Sequence, residues 1–550
     1  MIVNGHKIEP GARLSGADLS NEDLRSLDLS DVDLSYADLR FANFAGATLT
    51  GANLTFADLT GANFEGADLS GARLYDTCIC ETNLERVRLR GADIKNCEFL
   101  ESNIKNLDLS NSDLDGVSFL SVYGPHLRME DTNLNRVKFK GCDISMPNFT
   151  SSAITNTDFI ESNLSNAAFS CCKMQDVSFL SSKLNWAVFS DSDASNVRFD
   201  DILLTNSYFD RCGLGYSNFK SCVMGDSSFN GASLISVGFE ECSLLTSDFS
   251  SVALSGCVFE EVNFYESKFN KAEIKGSTFD RDCSLSMVKF TGSYIGGSKF
   301  NNANLDRAVL KNASITTSTF EYCDLDGTDF KDASLESVHF SHCDIREAIF
   351  IVTASSVVMD VVSLNGSEMW GASFSSSSIT NSNLSGVNLR SANLSGIDLR
   401  LSDLSCANLD GADLSGADLT GADLVGASIV NTKFVGASLS GTMYENKNME
   451  YIASGDPLQR FLIDLGLDID VLPVSYNSLS AIEAVLLRLV EDLCALSGTT
   501  PRSGKSPAET VARALNALYE RPEELELGQK MLLDSIAECV AIIESSGYGD

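Results

Sequence analysis

Sixteen cysteines and four histidines are the side chains of this 550-residue sequence whose types could do nucleophilic or metal chemistry. His339, His342 and Cys343 lie close together, but a structural zinc site needs four convergent ligands and these do not supply them. Cys494 and Cys539 stand among apolar residues with no histidine nearby, so neither has a local base for thiol catalysis. The segment from Gly498 to Ser506, GTTPRSGKS, approaches a phosphate-binding loop. Five residues separate its glycines where four are required, and a helical pattern precedes it where a strand is needed. Carboxylates are everywhere, and no pair stands out as an acid–base couple. The sequence therefore assigns no catalytic, cofactor-binding or metal-ligating residue.

The elements that carry these residues are announced by 411–425, GADLSGADLTGADLV. A five-residue unit repeats there around Leu414, Leu419 and Leu424, with Ala412, Ala417 and Ala422 two places earlier. Period five fits neither an amphipathic helix nor an alternating strand. A fixed short period marks a solenoid in which each unit is one side of a coil. From Leu14 to Phe279 every fifth residue keeps one register, and only Gly124 and Ala194 are not large and apolar. In SVYGPHLRM (121–129), Gly124 occupies a centre and Pro125 removes a ladder donor, which predicts a bulge or kinked coil. One residue is inserted at 281–286, moving the register to Leu285, and one is lost at 351–359, restoring it at Met359. Either break could bulge out a loop, where binding on a rigid scaffold tends to occur, and the apolar Ile351–Val352 with Val357–Val358 could equally be buried strand.

The domain reading is an N-terminal cap over 1–12, a repeat domain over 13–445 and an α-helical C-terminal domain over 446–550. In the last part Asp456-Pro457, Ser480 with Glu483, Ser506-Pro507 and Pro522 are helix-start signals. The apolar faces that follow predict a small bundle. Net charge is −36, which argues against a basic nucleic-acid-binding surface. No apolar run is long enough to span a membrane. The start, MIVNGHKIEPGARL, lacks a basic segment followed by an apolar core, so a cytoplasmic protein is expected.

The A-(D/N)-(L/F)-x-x unit, held over about 430 residues, resembles the pentapeptide-repeat family. The resemblance implies a right-handed, four-sided β-helix with twenty residues per coil, its central Leu or Phe and the small residue two places before it pointing inward. Roughly 21 coils at about 4.8 Å would make a rod near 100 Å long. Ten cysteines (Cys97, Cys142, Cys172, Cys212, Cys222, Cys242, Cys257, Cys283, Cys323 and Cys343) fall in that small inward slot. They are expected to be reduced, with Cys222 over Cys242 and Cys323 over Cys343 stacked as a packing ladder. Phe at every tenth position from Phe139 to Phe279 should line two opposite sides. Asp18, Asp38 and Asp58 should form an outward carboxylate ladder.

The resemblance implies a noncatalytic interaction scaffold, similar to long bacterial members that include secreted effectors. A protein partner is expected, with self-association through the C-terminal helices, no direct nucleic-acid binding and no cofactor. Two alternatives stand beside it: an acidic DNA mimic that binds a topoisomerase, and an effector enzyme with a ubiquitin-ligase-like C-terminal module.

Overall fold

The structure, a computed structural model, describes residues 2–444. The helical domain expected at 446–550, with Cys494, Cys539 and the Gly498–Ser506 segment, lies outside the described residues. Within them the chain winds into a parallel β-solenoid of the right-handed type. Each residue before a centre pairs with its counterpart one coil on, from Arg13↔Asp33 to Asp423↔Met443, which makes about 21 coils. One side of the coil forms a sixteen-stranded sheet, from Cys78–Cys80 to Ser378–Thr380. The adjacent side forms a fifteen-stranded sheet, from Arg73–Tyr75 to Val352–Ser355. The remaining sides are columns of single bridges. At the start, Ile2–Val3 and His6–Lys7 form an antiparallel hairpin, and Val3 and Ile8 join the core.

Five residues per side follow from the corners. The carbonyl of a centre accepts the N–H three residues later, as from Ala17 to Leu14 (3.0 Å) and from Ala417 to Leu414 (3.0 Å). The second residue of the turn lies at positive φ, for example Asn21 at 60° and Gly416 at 71°. That is the geometry of a type II turn, which favours Gly, Asn and Asp there. Glycine fills many of these corners and short polar residues most of the others.

A hydroxyl or thiol in the small inward slot hydrogen-bonds the centre carbonyl of the neighbouring coil, both at corners between two short strands and at corners that close with their own backbone bond. Thr77 Oγ1 donates to the Leu54 carbonyl at 2.8 Å and Ser102 Oγ to that of Ile79 at 2.9 Å. The serine hydroxyl also accepts the N–H one coil below, as from Thr82 to Ser102 (3.0 Å) and Cys142 to Ser162 (3.1 Å). Buried carbonyls and N–H groups must find partners, and these hydroxyls supply them. The cysteines do the same: Cys97 Sγ lies 2.9 Å from the Leu74 carbonyl and Cys172 Sγ 2.9 Å from that of Phe149. All ten inward cysteines are buried and free. Burial pushes the thiol of Cys97 up to about 11 and that of Cys172 up to about 12. The hydrogen bond between Cys222 and Cys242, together with burial, pushes Cys222 well up.

The phenylalanines line two opposite sides, as the spacing implies. Phe139 stacks on Phe159 at 4.9 Å, and Phe149 on Phe169 at 4.8 Å. The two stacks meet edge-to-face across the core, Phe139 against Phe149 at 6.2 Å and 85°. Offset-stacked and T-shaped pairs are each worth about 0.5–1.5 kcal/mol beyond their buried area. A long series of both fixes the spacing of the walls.

Of the three irregular stretches none bulges out, and at 351–359 the strand alternative holds, with Val352 and Val357 buried. Residues 121–129 form an ordinary coil, with Gly124 N bonded to the Asp143 carbonyl at 2.8 Å and Tyr123 bridged to both neighbours. Pro125 costs nothing because it occupies the turn position after a centre. In comparable corners that N–H goes to a side chain, as Ser20 does to Asp18, rather than to the ladder. The insertion at 281–286 is absorbed by two consecutive positive-φ residues, Arg281 and Asp282, and pairing resumes as Glu273↔Tyr294. The deletion removes one turn residue, so Ala333–Glu336 and Val352–Ser355 run as four-residue strands in register. Neither break throws out a loop.

Gly124 is nevertheless a constrained position. A Cβ there would fall 2.2 Å from Ile104 Cγ1 and 2.9 Å from the Ile104 carbonyl carbon. Overpacking of this kind costs roughly 1–3 kcal/mol. Gly124→Ala should lower the denaturant midpoint accordingly, and an unchanged midpoint would contradict the packing described.

Candidate functional site

The outward Asp and Asn residues have a local task before any partner is considered. At many of the ordinary corners an Asp or Asn sits just before the centre, and its Oδ1 accepts the N–H two residues later. The distance is 3.0 Å for Ser20 on Asp18, Thr60 on Asp58 and Ser415 on Asp413. This short-range bond closes the turn. It also favours the charged form: the Ser20 hydroxyl and N–H hold Asp18 below the usual carboxylate range, and the Ser30 pair does so for Asp28. For Asp38 the main cause is its hydrogen bond with Arg40.

Asp18, Asp38 and Asp58 are stacked by direct pairing, as the twenty-residue spacing implies. Arg40 lies among them, its Nη2 2.6 Å from Asp38 and its Nε 3.8 Å from Asp58. The same column continues through Cys78, Glu98, Ser118 and Lys138. The carboxylate ladder is thus three residues long and partly neutralised.

The outer face of the sixteen-stranded sheet changes character along its length. At the corners bounding the acidic end, Tyr36 stacks on Phe56 at 4.8 Å, and Phe41 lies over Gly61. Further on, the residues just after the Phe centres are Leu100, Leu120, Lys140, Ile160 and Leu180, each paired with the next. They make an apolar column about 19 Å long at the spacing of paired strands, interrupted by Lys140. Leu180 is 37% exposed and the other three aliphatics are half-buried. Asp200, Lys220, Glu240 and Glu260 follow. The matching column of the fifteen-stranded sheet is polar throughout: Lys95, Asp115, Asn135, Thr155 and Gln175. At the far end of the sixteen-stranded face, Thr380, Asn381, Arg400, Leu401 and Thr420 line an open groove of about 320 Å³. Arg400 there ties Asp398 (2.7 Å) to Asp418 (3.7 Å).

Sequence reasoning overlooked this apolar column. Its signal is a Phe followed directly by Leu or Ile at twenty-residue intervals, in EFL, SFL, DFI and SFL. The residues weighed for metal chemistry are not brought together. Cys343 is buried, its thiol 3.2 Å from the Phe320 carbonyl. His342 stacks on Tyr322 at 4.8 Å with its Nδ1 2.8 Å from Ser341 Oγ. Among the described residues, no three His, Cys, Asp or Glu side chains are grouped to hold a metal ion.

Depressed carboxylates couple stability to pH. Asp18, Asp28 and Asp38 titrate below the unfolded value of about 3.9. Their contribution is therefore full above that value and is lost as pH falls through the depressed folded values. Replacing all three by Asn keeps the Oδ1 acceptor and removes the proton. The variant should unfold at lower denaturant than the parent near neutrality, where the charged Asp residues contribute in full, and the gap should close between about pH 4 and pH 2. Parallel acid profiles would contradict the assignment.

Family models described as pentapeptide repeats match residues 12–119, 318–350, 362–396 and 402–441. A model described as a pentapeptide repeat region matches 132–310. No curated protein matches the sequence. Among solved structures, QnrB1, a plasmid-mediated fluoroquinolone resistance protein, is 21% identical. The similarity covers 33% of this chain and 93% of that one, with a TM-score of 0.24. HetL, involved in heterocyst differentiation regulation in the cyanobacterium Nostoc sp. strain PCC 7120, is 23% identical over 42% of this chain and 87% of its own, with a TM-score of 0.17. A protein from the Arabidopsis thaliana thylakoid lumen is 27% identical over 24% and 67%, with a TM-score of 0.10.

Proposed function

The chain belongs to the pentapeptide-repeat family, and from that premise we propose that it is a noncatalytic, rigid platform that binds another protein along the outer face of its sixteen-stranded sheet. The observation that carries this reading is the apolar column of Leu100, Leu120, Ile160 and Leu180 on a parallel sheet, interrupted only by Lys140. Its counterpart on the neighbouring sheet is polar. Apolar side chains bordered by charged ones are the usual composition of a protein interface, where the apolar centre contributes affinity and the charges set register. The partner is a protein, in the host cell if the chain acts as a secreted effector. Residues 446–550 supply self-association. A reducing, cytosolic setting suits the fourteen free cysteines among the described residues.

Topoisomerase binding by DNA mimicry is less well supported by this surface. Stacked carboxylates come one per roughly 4.8 Å, against about one phosphate per 1.7 Å of duplex. The ladder stops after Asp58, with Arg40 inside it and Lys138 further along the same column.

The test compares proteins captured from lysate by three forms of the full chain. Leu120→Glu/Leu180→Glu should lose bound protein at least tenfold while melting like the parent. Thr155→Glu/Gln175→Glu, the matched change on the other sheet, should retain it. Equal retention by both double variants would remove the sixteen-stranded face from consideration.

A further inference from the structure

Ten of the described cysteines point into the core, and Cys171 and Cys406 stand singly at positive-φ corners. Cys78 and Cys80 differ. They flank Ile79 in the first strand of the sixteen-stranded sheet, so strand alternation buries Ile79 and places both thiols on the outer face. Their sulfurs are 3.2 Å apart, Cys78 is exposed, and Thr60 Oγ1 lies 3.6 Å from Cys78 Sγ in the coil below.

We propose that Cys78 and Cys80 form a chelating dithiol site for a trivalent arsenical. The spacing of the sulfurs decides among the alternatives. Two residues apart in a strand, the Cα atoms are about 6.6 Å apart, near the top of the roughly 4.4–6.8 Å that a disulfide spans. Closing an S–S bond would bend this strand away from its pairing with Glu98 and Leu100. A linear ion with bonds of about 2.3 Å to sulfur needs its two sulfurs roughly 4.6 Å apart. A tetrahedral ion needs about 3.8 Å and two further ligands, and no third His, Cys, Asp or Glu joins the pair among the described residues. A pyramidal trivalent centre, whose bonds meet near right angles, needs about 3.3 Å at the same bond length. Only that geometry matches the pair as it stands.

The reaction is a condensation. An arsonous acid, R–As(OH)₂, forms two As–S bonds as its two As–OH bonds break. Each thiol proton leaves with a hydroxide as water, and arsenic remains trivalent, so no electrons are transferred. Burial and the hydrogen bond with Cys78 push the Cys80 thiol up to about 12. It is therefore protonated at neutral pH, the form this condensation consumes, whereas simple alkylating reagents require the thiolate.

The test is intact-mass spectrometry of the reduced full-length chain exposed to phenylarsine oxide. One adduct per chain is expected, stable to excess glutathione and removed by 2,3-dimercaptopropanol. It should be lost in Cys78→Ser and in Cys80→Ser, and retained in Cys171→Ser/Cys406→Ser and Cys494→Ser/Cys539→Ser. Serine already stands in both columns, as Ser118 and Ser20, so the variants should melt like the parent. If one does not, peptide mapping of the parent adduct decides, and a location other than residues 78–80 overturns the site. An adduct that persists in either Cys78→Ser or Cys80→Ser, or no adduct on the parent, would also overturn it.

Discussion

A coil of twenty residues must turn four corners, and each ordinary corner holds one residue at positive φ two places after a centre. Much of the structure depends on that constraint. It fixes the side length at five residues, and the side length makes residues twenty apart into stacked neighbours. Like then lies on like: Phe139 on Phe159, Asp18 on Asp38, and the thiols of Cys222 and Cys242. The outer surface becomes a set of columns, each spelled by every twentieth residue. Function on such a scaffold has to be sought in columns rather than in a cleft.

The corner constraint also explains the division of labour between slot residues. Alanine serves where the turn closes with its own backbone bond, as at Ala17 and Ala417. Serine, threonine and cysteine add a side-chain bond to a centre carbonyl of the neighbouring coil, as at Thr77, Cys97 and Ser102, and they do so also at corners that close with their own backbone bond, as at Ser112 and Cys172. Cysteine in this slot is a hydrogen-bonding residue as well as a small apolar one.

Much of this was legible in the sequence because the register is long and nearly unbroken. The two phenylalanine sides and the burial of ten cysteines follow from phase once the family resemblance sets which positions of the unit point inward. The error at 121–129 arose because a proline was judged as a ladder residue, when its place after Gly124 is a turn position without a ladder bond. The break at 281–286 looked like a loop, and that at 351–359 stayed open between loop and buried strand, because spacing counts residues and does not show that a corner can take an extra positive-φ residue or give one up. The outward Leu100–Leu180 column was overlooked because a period of five draws attention to the core. Only twenty-residue spacing, read at the position after Phe, brings it out. The outward Asp residues were read as surface charge, while their bonds to N–H groups two residues on make them parts of the turn.

Amide hydrogen exchange at residue resolution tests the account of a continuous, column-building solenoid most directly. Centres and the residues before them donate to neighbouring coils without interruption, including Gly124 to Asp143, Leu285 to Asn304 and Ala354 to Ser373. Strong protection should therefore recur every five residues through 121–129, 281–286 and 351–359, shifted by one between the last two. Fast exchange of the centre amides in any of those three stretches would mean that the coil opens there and the columns do not run the length of the rod.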